Sequence, residues 1–177
     1  MLSLKHNFFE IFEIAEAFEL DQQILEERYH KLQTETHPHR FAGAEEQQKL
    51  QAVQLNSYLN EAYATLKTPL KRAGYLLQRQ GIDTEVVDQK DLDMELLLEQ
   101  MQLRETLAEL PKDDSALDQI DGMKRATRQR IEECESRFSS AFAQDNIQHA
   151  KKAFHELQFL NKLFNETEQA EEQRLGY

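Results

Sequence analysis

The chain has 177 residues, a net charge of −12, 40% hydrophobic residues and a single cysteine. This charge argues against a protein whose main role is to hold nucleic-acid phosphates or anionic lipid, and one cysteine excludes an internal disulfide and a multi-cysteine zinc site. Three prolines, five glycines and few β-branched runs favour helices throughout. No apolar run reaches bilayer-spanning length and the N-terminus lacks an export pattern, so we expect a cytoplasmic protein without nucleic-acid or membrane partners.

The charge is unevenly distributed along the chain. Residues 1–81 carry 11 acidic and 9 basic side chains, a net charge of −2, whereas the remaining 22 acidic and 12 basic side chains give −10. Asp83, Thr84 and Asp88 interrupt the helical pattern between the two halves. The sequence therefore predicts two domains, residues 1–81 and 91–177, joined by a linker over residues 82–90.

The first two predicted helices lead into a turn that contains a proline. Asp21 can cap the second helix, and Pro38 disfavours the α conformation for His37, so this helix should stop near His37. The residues that suggest the first helix are Phe8, Phe9, Ile11, Phe12, Ile14 and Ala15, and those at helical spacing in the second are Ile24, Leu25, Arg28, Tyr29 and Leu32.

The third and fourth predicted helices follow this turn. The third begins near Ala44 and should run antiparallel to the second, which places the turn at the exposed tip of the pair. Thr68 and Pro69 are typical of a helix start, and Gly81 can close the fourth helix. The third helix carries Leu50, Val53, Leu55, Leu59, Ala62, Tyr63 and Leu66, and the fourth carries Leu70, Ala73, Leu76 and Leu77.

These features resemble a known module. A short helix, an antiparallel helix pair and a His-Pro turn at its tip are similar to a J-domain, which recruits and activates chaperones of the DnaK class. The segments 37–41 (HPHRF), 59–63 (LNEAY) and 69–77 (PLKRAGYLL) resemble the HscB family, J-domain co-chaperones of iron–sulfur cluster assembly. The resemblance covers essentially the whole chain. It implies an all-α fold, in which an N-terminal J-domain is joined to a C-terminal three-helix bundle.

The resemblance assigns the turn to chaperone binding. The implied partner is a DnaK-class chaperone of the HscA type. His39 stands where the family has aspartate, and an imidazole cannot offer an arginine the two acceptor oxygens of a carboxylate. An ordinary interhelical loop remains the alternative for the turn, and an ordinary solvated face for the two cations on the second helix. The chaperone-binding residues are expected to be His37, Pro38, His39, Arg40 and Phe41, with Arg28 and Lys31 as a basic edge.

The second half predicts three helices, the first of which has two apolar faces. Asp91 can cap this helix, which runs toward Leu110 and stops at Pro111. At about 100° per residue, one set of leucines shares a face and a methionine-containing set lies nearly opposite, so a second contact is expected. The first set is Leu92, Leu96, Leu103, Leu107 and Leu110, and the second is Met94, Leu97, Leu98 and Met101.

Two longer helices complete the predicted bundle. One follows the aspartates at 113–114, and the last begins at Asp145, with Gln148 in a box-like cap. Cys134 is interpreted as a small core residue, with a reactive or cluster-ligating thiol as the alternative. Residues 166–174 are expected to be a solvated helix end. The core seams are Leu117, Ile120, Thr127, Ile131, Cys134, Phe138 and Ala141, and Ile147, Ala150, Phe154, Leu157, Leu160 and Phe164.

The second half also resembles HscB, over the segments 97–105 (LLEQMQLRE) and 157–163 (LQFLNKL). Gln102 stands where the family commonly has an acidic residue. The helical period independently turns Leu97, Met101 and Phe159 away from the core, although packing between the two domains is an alternative role for them. The resemblance implies that an iron–sulfur scaffold protein of the IscU type binds Leu97, Leu98, Met101, Gln102, Glu105 and Phe159.

The resulting interpretation is a two-sided adaptor without catalytic activity or a cofactor. It would hold the scaffold protein with its second half and present it to the chaperone, whose ATPase it would stimulate. One alternative is a degenerate adaptor that binds the scaffold but does not stimulate the ATPase, because His39 replaces the aspartate. A remote alternative is a metal enzyme that uses His30, His37 and His39 as ligands, although the sequence has no His-Glu-x-x-His pattern.

Overall fold

A computed structural model describes residues 3–88, 91 and 93–176, and the regular secondary structure of these residues is helical, which confirms the all-α prediction. The helices are α1 (Phe8–Ile11), α2 (Gln22–Thr36), α3 (Glu46–Lys67), α4 (Pro69–Arg79), α5 (Met94–Glu109), α6 (Leu117–Ala143) and α7 (Ile147–Leu175). Short 3-10 helices occur at Pro38–Phe41 and Asp114–Ala116. Within the described residues, no helix has the length and apolar character needed to cross a membrane.

The chain divides into two compact units, residues 1–80 and residues 81–177. The sequence suggests residues 82–90 as a linker, and the described part of this segment, 82–88, falls within the second unit. Residues 89 and 90 lie outside the described part of the chain. Each unit has its own buried apolar core.

The first unit is organised by the antiparallel pair α2 and α3. Asp21 caps α2 as predicted, because its carboxylate accepts hydrogen bonds from the backbone N–H groups of Gln23 and Ile24. The Tyr29 and Tyr63 rings stack with their centroids 3.9 Å apart, and the Tyr29 hydroxyl donates to the Asn60 side chain at 2.8 Å. These contacts join the middle of the two helices, so the connecting turn lies at one end of the pair.

The helices α1 and α4 pack together in this unit. The Phe8 ring stacks on Tyr75 with a centroid separation of 4.4 Å, and the Tyr75 hydroxyl accepts a hydrogen bond from the Phe8 N–H. The fourth helix begins at Pro69 and ends before Gly81, whose φ of 79° is the left-handed conformation expected after a helix. The buried apolar residues of the unit are Phe8, Phe9, Ile11, Phe12, Phe18, Leu25, Ala52, Leu59, Ala62, Leu66, Ala73, Leu76 and Leu77.

Three sequence predictions for this unit are wrong in detail. The first helix ends at Ile11, and Ile14 and Ala15 lie outside it, because the chain turns at Glu13 with a φ of 51°. In α3, Leu50 and Val53 are exposed, and Ala52 is buried instead. Ile24 of α2 is also exposed. The predicted apolar stripes were too wide, since α2 and α3 each bury a narrower set of residues.

The second unit is a three-helix bundle of α5, α6 and α7. In the antiparallel pair α6 and α7, Arg137 binds Glu156 through two hydrogen bonds of 2.8 and 2.9 Å. The first helix of the bundle is joined to the others by two ion pairs: Glu99 with Arg130 of α6 at 2.8 Å, and Arg104 with Glu166 of α7 at 2.7 Å. The buried apolar residues are Leu96, Leu107, Ala116, Ile120, Cys134, Phe138, Ala150, Ala153, Phe154, Leu157, Leu160 and Leu163.

Both predicted N-caps in this unit are wrong. Asp93, and not Asp91, caps α5, since its carboxylate accepts from the N–H groups of Glu95 and Leu96. Asp91 is instead buried in an ion pair with Lys151. The last helix begins at Ile147, and Asp145 cannot cap it because Asp145 lies in the preceding turn with a φ of 56°.

The predicted core seams are largely confirmed where the structure describes them. Leu92 lies outside the described residues. Gln100 is almost fully buried on α5, although its polar side chain excluded it from the predicted core. The segment 166–174 is not a solvated end, since Thr167 is buried and the Arg174 guanidinium donates to the Pro111 carbonyl at 2.7 Å.

Candidate functional site

The His37–Phe41 turn has a defined local structure. His37 ends α2 with a ψ of 130°, as expected for a residue before proline. Its ring Nδ1 accepts the His39 N–H at 3.3 Å, and its carbonyl accepts the Arg40 N–H at 3.0 Å. Pro38 occupies the first turn of the 3-10 helix, where a missing N–H has no cost. The conformation of the turn is therefore determined by Pro38 and by hydrogen bonds between residues of the turn itself.

Most of the turn faces solvent. His37, His39 and Arg40 are exposed, while Pro38 and Phe41 are half-buried. The two imidazole rings stack with centroids 4.8 Å apart, and Arg40 donates a long hydrogen bond of 3.4 Å to the Thr34 carbonyl. The turn thus presents two imidazoles and a guanidinium to solvent, without a carboxylate.

The two cations predicted to extend this surface differ from each other. The Arg28 guanidinium donates to the carbonyls of Phe12 and Glu13, which holds it against the chain beyond α1. Lys31 is exposed. Both residues line a cleft of about 560 Å³ that also includes Phe41. This cleft could not be predicted from the sequence, because its walls come from α1, α2, α3 and the turn.

The three histidines considered as metal ligands are not brought together. His30 lies 3.6 Å from Glu26 on the same helix, and His37 and His39 stack on each other. Among the described residues, no group of three or more His, Cys, Asp or Glu side chains has an arrangement suited to a metal ion. The metal-enzyme hypothesis therefore has no structural support.

The second candidate surface lies on α5. Leu98 and Met101 are exposed to 56% and 57%, and Leu97 is half-buried beside them. Gln102 and Glu105 are exposed on the following turns, and Phe159 is half-buried on α7. The predicted apolar face of α5 therefore exists as an exposed stripe with a polar end. Met94, at 67% exposure, belongs to the same stripe.

Cys134 does not contribute to either surface. Its thiol is fully buried on α6 and donates a hydrogen bond to the Ala153 carbonyl at 3.2 Å. Burial raises the pKa of this thiol to about 12, so the reactive thiolate is disfavoured at neutral pH. The structure confirms the interpretation of Cys134 as a core residue.

Comparison with known proteins identifies the relatives of this chain. Residues 92–168 match the family model described as the HSCB C-terminal oligomerisation domain. The chain is 36% identical to the co-chaperone protein HscB homolog of Aeromonas hydrophila, over 94% of this chain and 96% of that protein.

Two solved structures are also similar to this chain. The chaperone HscB from Vibrio cholerae has a TM-score of 0.86 and 35% identity, and the match covers 95% of this chain and 99% of that one. Human co-chaperone protein HscB has a TM-score of 0.82 and 26% identity, with 94% and 83% covered. The fold is accordingly a J-domain followed by a C-terminal helical bundle. Identity above 30% over nearly the full length of both sequences shows that the chain belongs to the HscB family of co-chaperones.

Proposed function

We propose that this co-chaperone binds an IscU-type iron–sulfur scaffold protein with its second unit and a DnaK-class chaperone of the HscA type with its first. In this proposal it delivers the scaffold to the chaperone, stimulates ATP hydrolysis there and acts in the cytoplasm during iron–sulfur cluster assembly. It has no catalytic activity of its own and needs no cofactor. Family membership supports the general role as a co-chaperone. The two exposed surfaces support the assignment of scaffold binding to the second unit and chaperone binding to the first.

The observation that carries the proposal is the exposed apolar face of α5. Single exposed apolar side chains are common, but a contiguous stripe on one helix indicates a protein-binding surface. Leu98 and Met101 lie in successive turns of a helix that two ion pairs fix to the rest of its unit. Such a rigid surface loses little conformational entropy on binding. The proposed scaffold-binding residues are Leu97, Leu98, Met101, Gln102, Glu105 and Phe159.

Calorimetric titration with the scaffold protein tests this assignment. Replacing Leu97, Met101 and Phe159 together by alanine should weaken binding by about 3 kcal/mol or more, because these side chains would form the apolar centre of the contact. Circular dichroism should show unchanged helicity. A lower melting temperature together with unchanged affinity would instead assign these residues to internal packing and refute the proposal.

The turn at the tip of α2 and α3 is the proposed chaperone contact. Its exposed groups are His37, His39 and Arg40, with Pro38 and Phe41 supporting them. Lys31 provides an exposed cation next to the cleft. Arg28 is the weakest member of the proposed set, because its guanidinium already donates to two backbone carbonyls. We therefore expect Lys31 to contribute more to binding an acidic chaperone surface than Arg28.

A second candidate function is a degenerate adaptor that binds the scaffold without activating the chaperone. The observation in its favour is His39, which supplies no carboxylate at the position where the family signature has one. Single-turnover ATP hydrolysis by the cognate chaperone separates the two candidates. Normal stimulation by the native sequence would exclude the degenerate adaptor, whereas stimulation by the His39→Asp variant alone would support it. Glu35→Gln, a charge change on α2, serves as the control for a general electrostatic effect.

A further inference from the structure

Met94 lies in line with the proposed scaffold-binding residues of α5. At 100° per residue, Met94 is within about 20° of Met101 and about 40° of Leu98 around the helix axis. The buried residues Leu96 and Leu107 lie on the opposite side of this helix. Met94 therefore points away from the core of its unit, along the same direction as the exposed stripe.

The start of α5 fixes this direction. Met94 is the first residue of the helix, immediately after the capping residue Asp93. The Asp93 carboxylate accepts from Glu95 N–H at 3.0 Å and Leu96 N–H at 3.3 Å, and its carbonyl accepts from Leu97 N–H at 3.0 Å. With its first turn capped in this way, the helix is less prone to fray at its N-terminus. Met94 therefore lies in a capped first turn, with its side chain exposed.

The exposed face of α5 changes character along its length. Its first turns carry the apolar side chains Met94, Leu98 and Met101, with exposures of 67%, 56% and 57%. Its last turns carry the exposed acids Glu105 and Glu109 on the same side. The rise of 1.5 Å per residue separates Met94 from Glu105 by about 16 Å. A partner that fits this face has an apolar patch with basic side chains at one end.

We infer that Met94 forms the outer end of the scaffold-binding surface and extends its apolar part by one helical turn beyond Leu97. This inference rests on the proposed function, because the occupant is the same scaffold protein. The sequence resemblance does not include Met94 in that surface. Its contribution is apolar, whereas the acidic end of the helix sets the orientation of the partner through charge complementarity.

Methionine methyl signals test the inference directly. The chain contains four methionines, and Met123 is half-buried against Leu107 and Ile120 in the core of the bundle. Methyl-13C-methionine labelling of the full chain gives a small set of NMR signals that Met94→Leu and Met101→Leu variants assign. On titration with unlabelled, cluster-free IscU-type scaffold from the same organism, the Met94 and Met101 signals should shift together. Met123 is the internal control and should not respond.

The affinity of a matched pair of variants completes the test. Met94→Gln should weaken scaffold binding about tenfold, because the apolar contact of one methionine is lost. Leu175→Gln, which changes another exposed apolar residue of the same unit, should leave the affinity unchanged.

The outcomes separate this inference from the proposed function. A response of Met101 without Met94, with unchanged affinity for Met94→Gln, would overturn the inference and leave the proposed surface intact. Binding without a response of either methionine would refute both the inference and the assignment of α5. Absence of any scaffold binding by the native chain would overturn the proposed function and the inference with it.

Discussion

Lys151 Nζ lies 3.0 Å from Asp91 Oδ2, and the two side chains are exposed to only 8% and 3%. Lys151 also contacts Asp88 at 3.1 Å. These contacts bind the segment before α5 to the second turn of α7. The ion pair therefore holds in place the segment that leads into α5, the helix that carries the proposed scaffold surface.

Loss of this ion pair should destabilise the second unit. In Asp91→Asn, the buried ammonium of Lys151 keeps Asp88 as a partner but loses its closest counter-charge, so we expect the free energy of unfolding to fall by about 2 kcal/mol. Urea denaturation followed by circular dichroism measures this change. Asp121→Asn removes the exposed ion pair with Arg125 and should change stability by less than about 0.5 kcal/mol. Equal effects of the two substitutions would contradict the prediction.

The same ion pair should make stability depend on acid pH. Burial raises the pKa of Asp91, but the hydrogen bonds from Lys151 and from the Asp88 backbone outweigh it, so the pKa lies below its ordinary value of 3.8. The unfolded chain then binds this proton more tightly than the folded protein. The contribution of Asp91 to stability is therefore present above about pH 4 and is lost as the pH falls through the lowered pKa.

Denaturation of the native chain and Asp91→Asn at several pH values checks this sign. The stability difference between them should be constant from about pH 5 to pH 9 and should shrink as the pH approaches about 3. On the alkaline side, the hydrogen bond to Asp91 raises the pKa of Lys151 above 10.5, so the Lys151 contribution is lost only as the pH rises through that raised value. A difference that grows in acid would contradict the assignment.

The role of Asp91 also shows what the sequence could predict and what it could not. Before α2, Asp21 is the only nearby residue of a type that commonly caps a helix. Local rules therefore predicted the start of α2 correctly. Before α5, aspartates occur at 88, 91 and 93, and each is a plausible cap by local rules. The choice depends on Lys151, which is about 60 residues away in the sequence and contacts two of them.

Helical periodicity predicted which side of most helices faces the core, but not how wide the buried part of that side is. Leu59 and Leu66 of α3 are buried, whereas Leu50 and Val53 lie on the far side and Ala52 packs inward. Val53 was predicted to be buried because it is more hydrophobic than Ala52. The position of Ala52 around the helix axis, however, places it on the side of the buried Leu59 and Leu66. For the candidate sites, sequence resemblance supplied the residues, but it could not reveal that Arg28 is engaged by the carbonyls of Phe12 and Glu13.

Cys134 should be unreactive in the folded protein. Its thiol is fully buried, and burial raises its pKa to about 12, so little thiolate exists at pH 8. Alkylation by iodoacetamide should be slow in the native protein, because it requires opening of the bundle, and in denaturant one cysteine per chain should be modified rapidly. Mass spectrometry follows both reactions. Complete labelling of the native protein within minutes, without loss of circular dichroism, would show that the thiol is accessible.

Gln100 offers a site for stabilising α5. Only 1% of this residue is exposed, and neither amide atom has a hydrogen-bond partner among the described residues. Burying an amide without partners costs free energy, whereas leucine has a similar volume and no polar atoms. We therefore expect Gln100→Leu to raise the free energy of unfolding by about 1 kcal/mol. Thermal and urea denaturation measure the gain.

The neighbouring Gln102 provides the matched control for this substitution. It lies two residues further along the same helix with its side chain exposed, so Gln102→Leu should leave stability nearly unchanged. A loss of stability in Gln100→Leu would instead mean that the amide is hydrogen bonded through an internal water. Gln100→Leu should also keep the full affinity for the scaffold, because residue 100 is buried in the core of the bundle and is not part of the exposed stripe. Reduced affinity would contradict this expectation.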